Sequence, residues 1–171
     1  MILALDVAGR TGVCLGRAGE TPRAMSVDLG KGRSEGARLS RLLRLVRETI
    51  TRFEPDLLVY ELPVGGRDTS HLLVGMAAVV VAQATDMGLE PVSAHSATVR
   101  KFFLGYVPRV KDFPGLSAGK AKAEIKRLVV ARCHALGWTV PDTDAADAAA
   151  TWAFACHTHA GAALPPPGGL F

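Results

Sequence analysis

An apolar run that ends in a carboxylate opens the chain: Ile2, Leu3, Ala4 and Leu5 lead straight into Asp6. A short apolar run bounded by turn residues reads as a buried strand. Val7, Ala8, Gly9, Arg10, Thr11 and Gly12 then turn the chain into a second strand over residues 13–16. A charge at the end of a buried strand is costly unless it is paired or holds a metal. For this segment alone, an Asp that makes a surface turn is the simpler reading. The pattern recurs, however. Leu57, Leu58, Val59 and Tyr60 form another such run, and it ends in Glu61 before Pro63, Gly65 and Gly66 break the chain.

Between and after these strands the spacing predicts helices. Residues 23–29 read as a third strand. Ser34 is placed to cap a helix that runs to Phe53, with Leu39, Leu42, Leu43, Val46, Ile50 and Phe53 on one face. Arg38, Arg41, Arg44 and Arg47 fall on the other side as solvated charges, and Pro55 ends the helix. Residues 69–87 read as a helix that is apolar nearly all round. A short strand over 91–93, a short helix over 96–103, a loop over 105–117, a Lys- and Arg-rich helix over 118–136 and a last helix over 144–159 follow. Strands first, then alternating helix and strand, imply an α/β protein with helices packed on a mixed sheet. One domain is expected over 1–160. The Pro- and Gly-rich stretch 161–171 is expected to be a flexible tail.

The last helix begins Asp144, Ala145, Ala146, Asp147, Ala148. Residues three apart share a helical face, so the two acids point the same way. Dipole complementarity alone explains acids in a first turn. The alanines around them, however, mark a helix packed closely on its neighbour, where two acids need a partner. Asp6, Glu61, Asp144 and Asp147 together suit a hard cation such as Mg²⁺, which takes oxygen ligands. Two such ions about 4 Å apart can clamp both oxygens of a phosphodiester displacement. No Walker-type phosphate loop, serine nucleophile elbow or zinc-binding histidine pair competes with this reading.

Charge distribution suggests the partner. The chain carries a formal charge of +4 over 171 residues. Nine of its Lys and Arg residues, against two acids, fall between His95 and Ala135. That stretch of the chain is a candidate nucleic-acid footprint, with Arg100, Lys101, Arg109, Lys111, Lys120, Lys122 and Lys126 as contacts; a solvated helix face is the alternative. Cys14, Cys133 and Cys156 are scattered, which fits reduced thiols in the cytoplasm. The N-terminus has no signal-peptide pattern. The longest apolar stretch, residues 72–82, falls short of the roughly 20 residues needed to cross a membrane.

With these motifs in hand, the chain resembles the RuvC-type Holliday-junction resolvases of the RNase H-like nuclease superfamily. The opening residues 2–12 are similar to the family's first strand and turn, with Val7-Ala8-Gly9 where the family usually has Pro-Gly. Residues 57–61 are similar to its second acid-bearing strand, and Asp144-Ala145-Ala146-Asp147-Ala148 to its closing motif. The resemblance implies an RNase H-like mixed five-stranded sheet flanked by helices. It implies that Asp6, Glu61, Asp144 and Asp147 are catalytic and hold two Mg²⁺ or Mn²⁺ ions per active site. Arg100 and Lys122 match the family's basic positions, with Lys120 the alternative to Lys122, and Lys122 is expected among the catalytic residues. Val64 stands where the family carries an aromatic wedge.

The implied activity is that of a crossover junction endodeoxyribonuclease, a metal-dependent endonuclease that cuts branched DNA, chiefly four-way junctions, at symmetric positions. The alternatives are another RNase H-like nuclease, acting on RNA in a hybrid or on less specific branched DNA, and a non-catalytic nucleic-acid-binding scaffold. Two symmetric cuts need two sites, so a homodimer is expected, paired through the apolar helix 69–87.

Overall fold

The computed structural model of the chain describes residues 1–63 and 70–164. Its five strands are β1 (Ile2–Asp6), β2 (Arg10–Gly16), β3 (Arg23–Asp28), β4 (Leu57–Glu61) and β5 (Val92–Ala94). They form one sheet in the order β3-β2-β1-β4-β5. The β1–β2 and β2–β3 pairs are antiparallel, and β1–β4 and β4–β5 are parallel. The sheet is therefore mixed, as the order of runs in the sequence implied. Five α-helices surround it: α1 (Glu35–Phe53), α2 (His71–Asp86), α3 (Ser96–Leu104), α4 (Ala118–Ala135) and α5 (Thr143–Ala160).

β1 is the central strand, and its side chains alternate between two cores. Ile2 and Ala4 pack with Val59, Val99, Val129 and the alanines of α5. Leu3 and Leu5 pack with Leu42, Val46, Met76 and Val80 from α1 and α2. A strand covered on both faces is expected to be apolar throughout. The α5 layer lies unusually close to the sheet because its inner face is alanine: Ala145, Ala146, Ala148 and Ala149 are fully buried. At Gly12 an added Cβ would lie 2.0 Å from the Asp144 carbonyl oxygen, so only glycine admits the helix there. Further along, the Trp152 indole N–H donates to the Gly16 carbonyl at 3.3 Å.

Local chemistry explains the element ends. The Ser34 hydroxyl accepts from Ala37 N and starts α1. Glu54 leaves α1 at φ 44° ahead of Pro55. The start of α5 differs by one residue from the sequence expectation. Asp142 is its cap, accepting from Asp144 N at 3.1 Å and Ala145 N at 2.9 Å. α2 is shorter at both ends than the expected 69–87, and the chain does not cover it on all sides. It buries Met76, Val80, Gln83 and Ala84, and it leaves Val74 54% exposed. Val64, and residues 165–171 of the expected tail, lie outside the described residues. Among the described residues no helix is long and apolar enough to cross a membrane. All three cysteines are buried and free.

Candidate active site

Strand register brings the first two acids together. Leu5 of β1 pairs in parallel with Tyr60 of β4, so Asp6 and Glu61 end adjacent strands at the same level. Asp6 is in phase with Ile2 and Ala4, and Glu61 with Leu57 and Val59, and these pack on the α5 side of the sheet. The first two turns of α5 deliver Asp144 and Asp147 to the same place. Asp6, Asp144 and Asp147 each offer a carboxylate oxygen, and these atoms all lie within 4.8 Å of one another. Glu61 stands beside that group and is coupled to it by charge.

Two cations face the acids. Lys126 of α4 places Nζ 2.7 Å from Asp144 Oδ1 and 3.2 Å from Asp147 Oδ2. Arg100 of α3 has Nη2 4.0 Å from Asp147 Oδ1. The electrostatics follow from this crowding. Burial, then the charges of Glu61 and Asp147, push the Asp6 carboxyl well above its ordinary range, and Lys126 only partly offsets them. Burial, then the charge of Asp147, raises Glu61 to about 7, against the lowering effect of Arg100, Lys126 and a hydrogen bond with Ser96. Asp147, only 5% exposed, is also raised by burial, with Lys126 and Arg100 opposing. Burial alone would lower the Lys126 pKa, but Asp147, Asp144 and Asp6 outweigh it and hold the ammonium protonated.

Four carboxylates thus face two fixed cations, which leaves two negative charges uncompensated when all are ionised. The donors are all carboxylate oxygens, the chemistry that hard divalent cations select. The residues present therefore fit the Mg²⁺ or Mn²⁺ that the sequence suggested.

The predicted basic residues separate into two groups. Arg100 and Lys126 reach the acids. Lys122 lies one turn before Lys126 on α4, exposed, with no contact to the acids among the described residues. Four residues along a helix is about 6 Å, enough to take an ammonium out of reach. Lys120 is exposed in the first turn of α4, where its backbone N donates to Ser117. Lys101, Arg109 and Lys111 gather around a separate concavity with Tyr106.

Sequence reasoning missed a supporting set on the opposite flank. Asp142 receives Arg10 Nη1 at 3.0 Å and the Ser26 hydroxyl, which ties the α5 cap to β2 and β3. An aspartate two residues before Asp144 was the available signal. Arg38, expected to be a solvated charge, instead lies over the turn that follows Asp6. Its Nη2 is 2.2 Å from where a Cβ on Gly9 would sit. Its Nε is buried with no hydrogen-bond partner among the described residues.

No protein-family model matches the chain, and no curated protein matches it. Solved structures do match. A Thermus thermophilus RuvC structure is 18% identical, with a TM-score of 0.59 over 91% of this chain and 95% of that one. T. thermophilus RuvC in complex with a Holliday junction substrate matches with a TM-score of 0.60 and 18% identity, over 90% of this chain and 92% of that one. The yeast mitochondrial Holliday junction resolvase Ydc2 matches with a TM-score of 0.53 and 11% identity, over 89% of this chain and 75% of that one. At these identities the likeness is one of fold: the chain has a RuvC-like, RNase H-like α/β architecture.

Proposed function

We propose that this chain is a divalent-metal-dependent endonuclease that cuts branched DNA, with the four-way junction as its substrate. The observation that carries this reading is the convergence of the Asp6, Asp144 and Asp147 carboxylates within 4.8 Å, with Glu61 coupled to them by charge and Lys126 and Arg100 as their ion-pair partners. The fold supports it, since one structure of like fold holds a Holliday junction substrate.

In this reading the four acids hold two Mg²⁺ or Mn²⁺ ions. Bound there, the ions supply an activated water and neutralise charge on the attacking and leaving oxygens. Lys126 and Arg100 oppose the effect of burial on Asp147, and they present positive charge to a phosphate entering between α3 and α4. Lys126 takes the role that the sequence assigned to Lys122. Lys101, Arg109, Lys111, Lys120 and Lys122 contact flanking phosphates, and each such contact contributes to salt-dependent affinity. A homodimer paired through α2 brings two sites to one junction. The buried, unpaired cysteines support a reducing, cytoplasmic setting.

The test is cleavage of a four-way junction beside a linear duplex of the same sequence, with Mg²⁺, with Mn²⁺ and with a chelator. Wild type is expected to cut only the junction, and only with metal. Asp6→Asn and Glu61→Gln are expected to bind the junction without cutting it. Wild-type rates from either variant overturn the metal-site reading. Cleavage of an RNA–DNA hybrid instead, or binding without cleavage, selects the corresponding rival.

A further inference from the structure

We infer that the loop after α3 forms a stacking pocket for an unpaired nucleobase, next to the candidate active site. This deepens the nucleic-acid reading above and rests on it. Gly105 ends α3 at φ 84°, and the chain turns outward into Tyr106. Tyr106 is 40% exposed and is the one exposed Phe, Tyr or Trp ring among the described residues. Five other large rings among the described residues pair internally. Phe103 stacks on Trp138, Trp138 meets Trp152 edge-on, and Phe102 packs on Phe154 and His157. Tyr106 enters no ring pair and no hydrogen bond among the described residues, so its face is unused.

Around that ring Lys101, Val107, Arg109, Lys111 and the single acid Asp112 line a cavity of about 550 Å³. This is within the size range of small-molecule sites, roughly 300–1,000 Å³. No ion pair among the described residues joins Lys101, Arg109 or Lys111 to an acid. The loop is nonetheless held in shape. Arg109 N donates to Asp112 Oδ2 at 2.8 Å, and Asp112 N returns to the Arg109 carbonyl at 2.9 Å. Val110–Asp112 forms a 3₁₀ turn that presents Arg109 and Lys111 on either side of Val110.

An unused aromatic face ringed by three unpaired cations matches a ligand with both a π-face and a phosphate on each side. Stacking on such a ring tolerates any base, and the cations hold the backbone. A paired duplex hides its base faces, whereas a strand at a branch point or a free end displays them. The pocket therefore favours unpaired nucleotides. Its position fits the candidate site, because Lys101 directly follows Arg100, which faces Asp147.

The test uses the full chain in a chelating buffer, so that binding is read without cleavage. The probes are a single strand and a branched DNA, each carrying 2-aminopurine at an unpaired position, and a fully paired duplex of matched length. Tyr106→Ala is expected to weaken binding of the unpaired probes about tenfold and to abolish quenching of the 2-aminopurine. Tyr106→Phe is expected to stay within about twofold of wild type, because the stacking face remains. Duplex affinity is expected to be unchanged in both. Equal binding and quenching by wild type and Tyr106→Ala overturn the inference, as does an equal loss on duplex. The nuclease reading is scored separately, by wild-type cleavage with Mn²⁺. Stacking without cleavage keeps the pocket and removes the nuclease, and failure to bind any nucleic acid removes both.

Discussion

The ammonium of Lys126 sits 2.7 Å from the carboxylate of Asp144, and the same nitrogen reaches Asp147 at 3.2 Å. A lysine on α4 thus serves as fixed counter-charge to two acids on α5. Replacing it by methionine keeps the stem and removes the charge. With no ammonium, burial and repulsion act on Asp6 without that offset, and Arg100 alone opposes them at Asp147. Lys126→Met is expected to destabilise the metal-free protein by about 1–2 kcal/mol at pH 8. That is less than the roughly 3–5 kcal/mol for breaking a fully buried pair, because the lysine side chain is 36% exposed. Millimolar Mg²⁺ should narrow the gap, since a bound cation replaces the missing charge. Thermal melts of both proteins with and without Mg²⁺ check this, and a gap indifferent to both Mg²⁺ and pH would count against the electrostatic account.

Gly12 allows α5 to come down onto the sheet. A Cβ there would lie 2.0 Å from the Asp144 carbonyl oxygen and 2.7 Å from its carbon, both backbone atoms that cannot rotate away. Gly12→Ala must therefore lift the first turn of α5, and with it Asp144 and Asp147, away from Asp6. Overpacking of this kind costs about 1–3 kcal/mol. The expected result is a lower melting temperature together with weakened Mn²⁺ binding by calorimetry. Unchanged Mn²⁺ affinity would mean that the acids do not bind metal as a group.

The raised carboxyl of Glu61 makes stability depend on pH. Its folded value is about 7, against an ordinary 4.5. Between those values the folded state holds more protons than the unfolded one, so stability falls as pH rises through this window. The shift corresponds to about 3 kcal/mol, present in full below pH 4.5 and lost above pH 7. Asp6 and Asp147 are raised too and act in the same direction. In a chelating buffer, Glu61→Gln should therefore gain stability relative to wild type as pH rises from about 5 to 7, then level off. Denaturant titrations at four pH values measure the difference, and a flat difference would contradict the burial of this carboxylate.

The acids were legible because each obeys a local rule. Asp6 and Glu61 end apolar runs, and strand alternation puts both on one face. Asp144 and Asp147 are three apart on a helix. The lysine was not legible in the same way. Lys122 and Lys126 are four apart and share a face of α4, so spacing cannot choose between them. The choice is made by how deep α4 sits, which depends on Ala121, Ile125 and Val129 packing against other elements. Arg38 was misread for a related reason. Its helical position is polar, but the turn at Gly9 comes underneath it from another part of the chain. The role of Asp142 depends on Arg10 and Ser26, more than 100 residues away in sequence.

The apolar helix α2 carries the last prediction. Sequence reasoning found too many apolar residues on it for one core, and the structure shows where the surplus lies. Met76, Val80 and Ala84 face α1 and the sheet. Val74, Ala78 and Ala82 are exposed, and at four-residue spacing they form one stripe on the opposite side. Small residues beside a valine suit close approach by a second copy of the same helix across a two-fold axis. Val79 packs at the edge of the core, so a charge there would disturb the fold itself. Val74 is 54% exposed, so Val74→Asp should leave the melting temperature of the monomer nearly unchanged, within about 0.5 kcal/mol. The expected outcome is a wild-type dimer and a Val74→Asp monomer by sedimentation, with the variant nicking one strand of a junction where wild type cuts two. A wild-type monomer at micromolar concentration, with and without junction DNA, would remove α2 as the pairing surface.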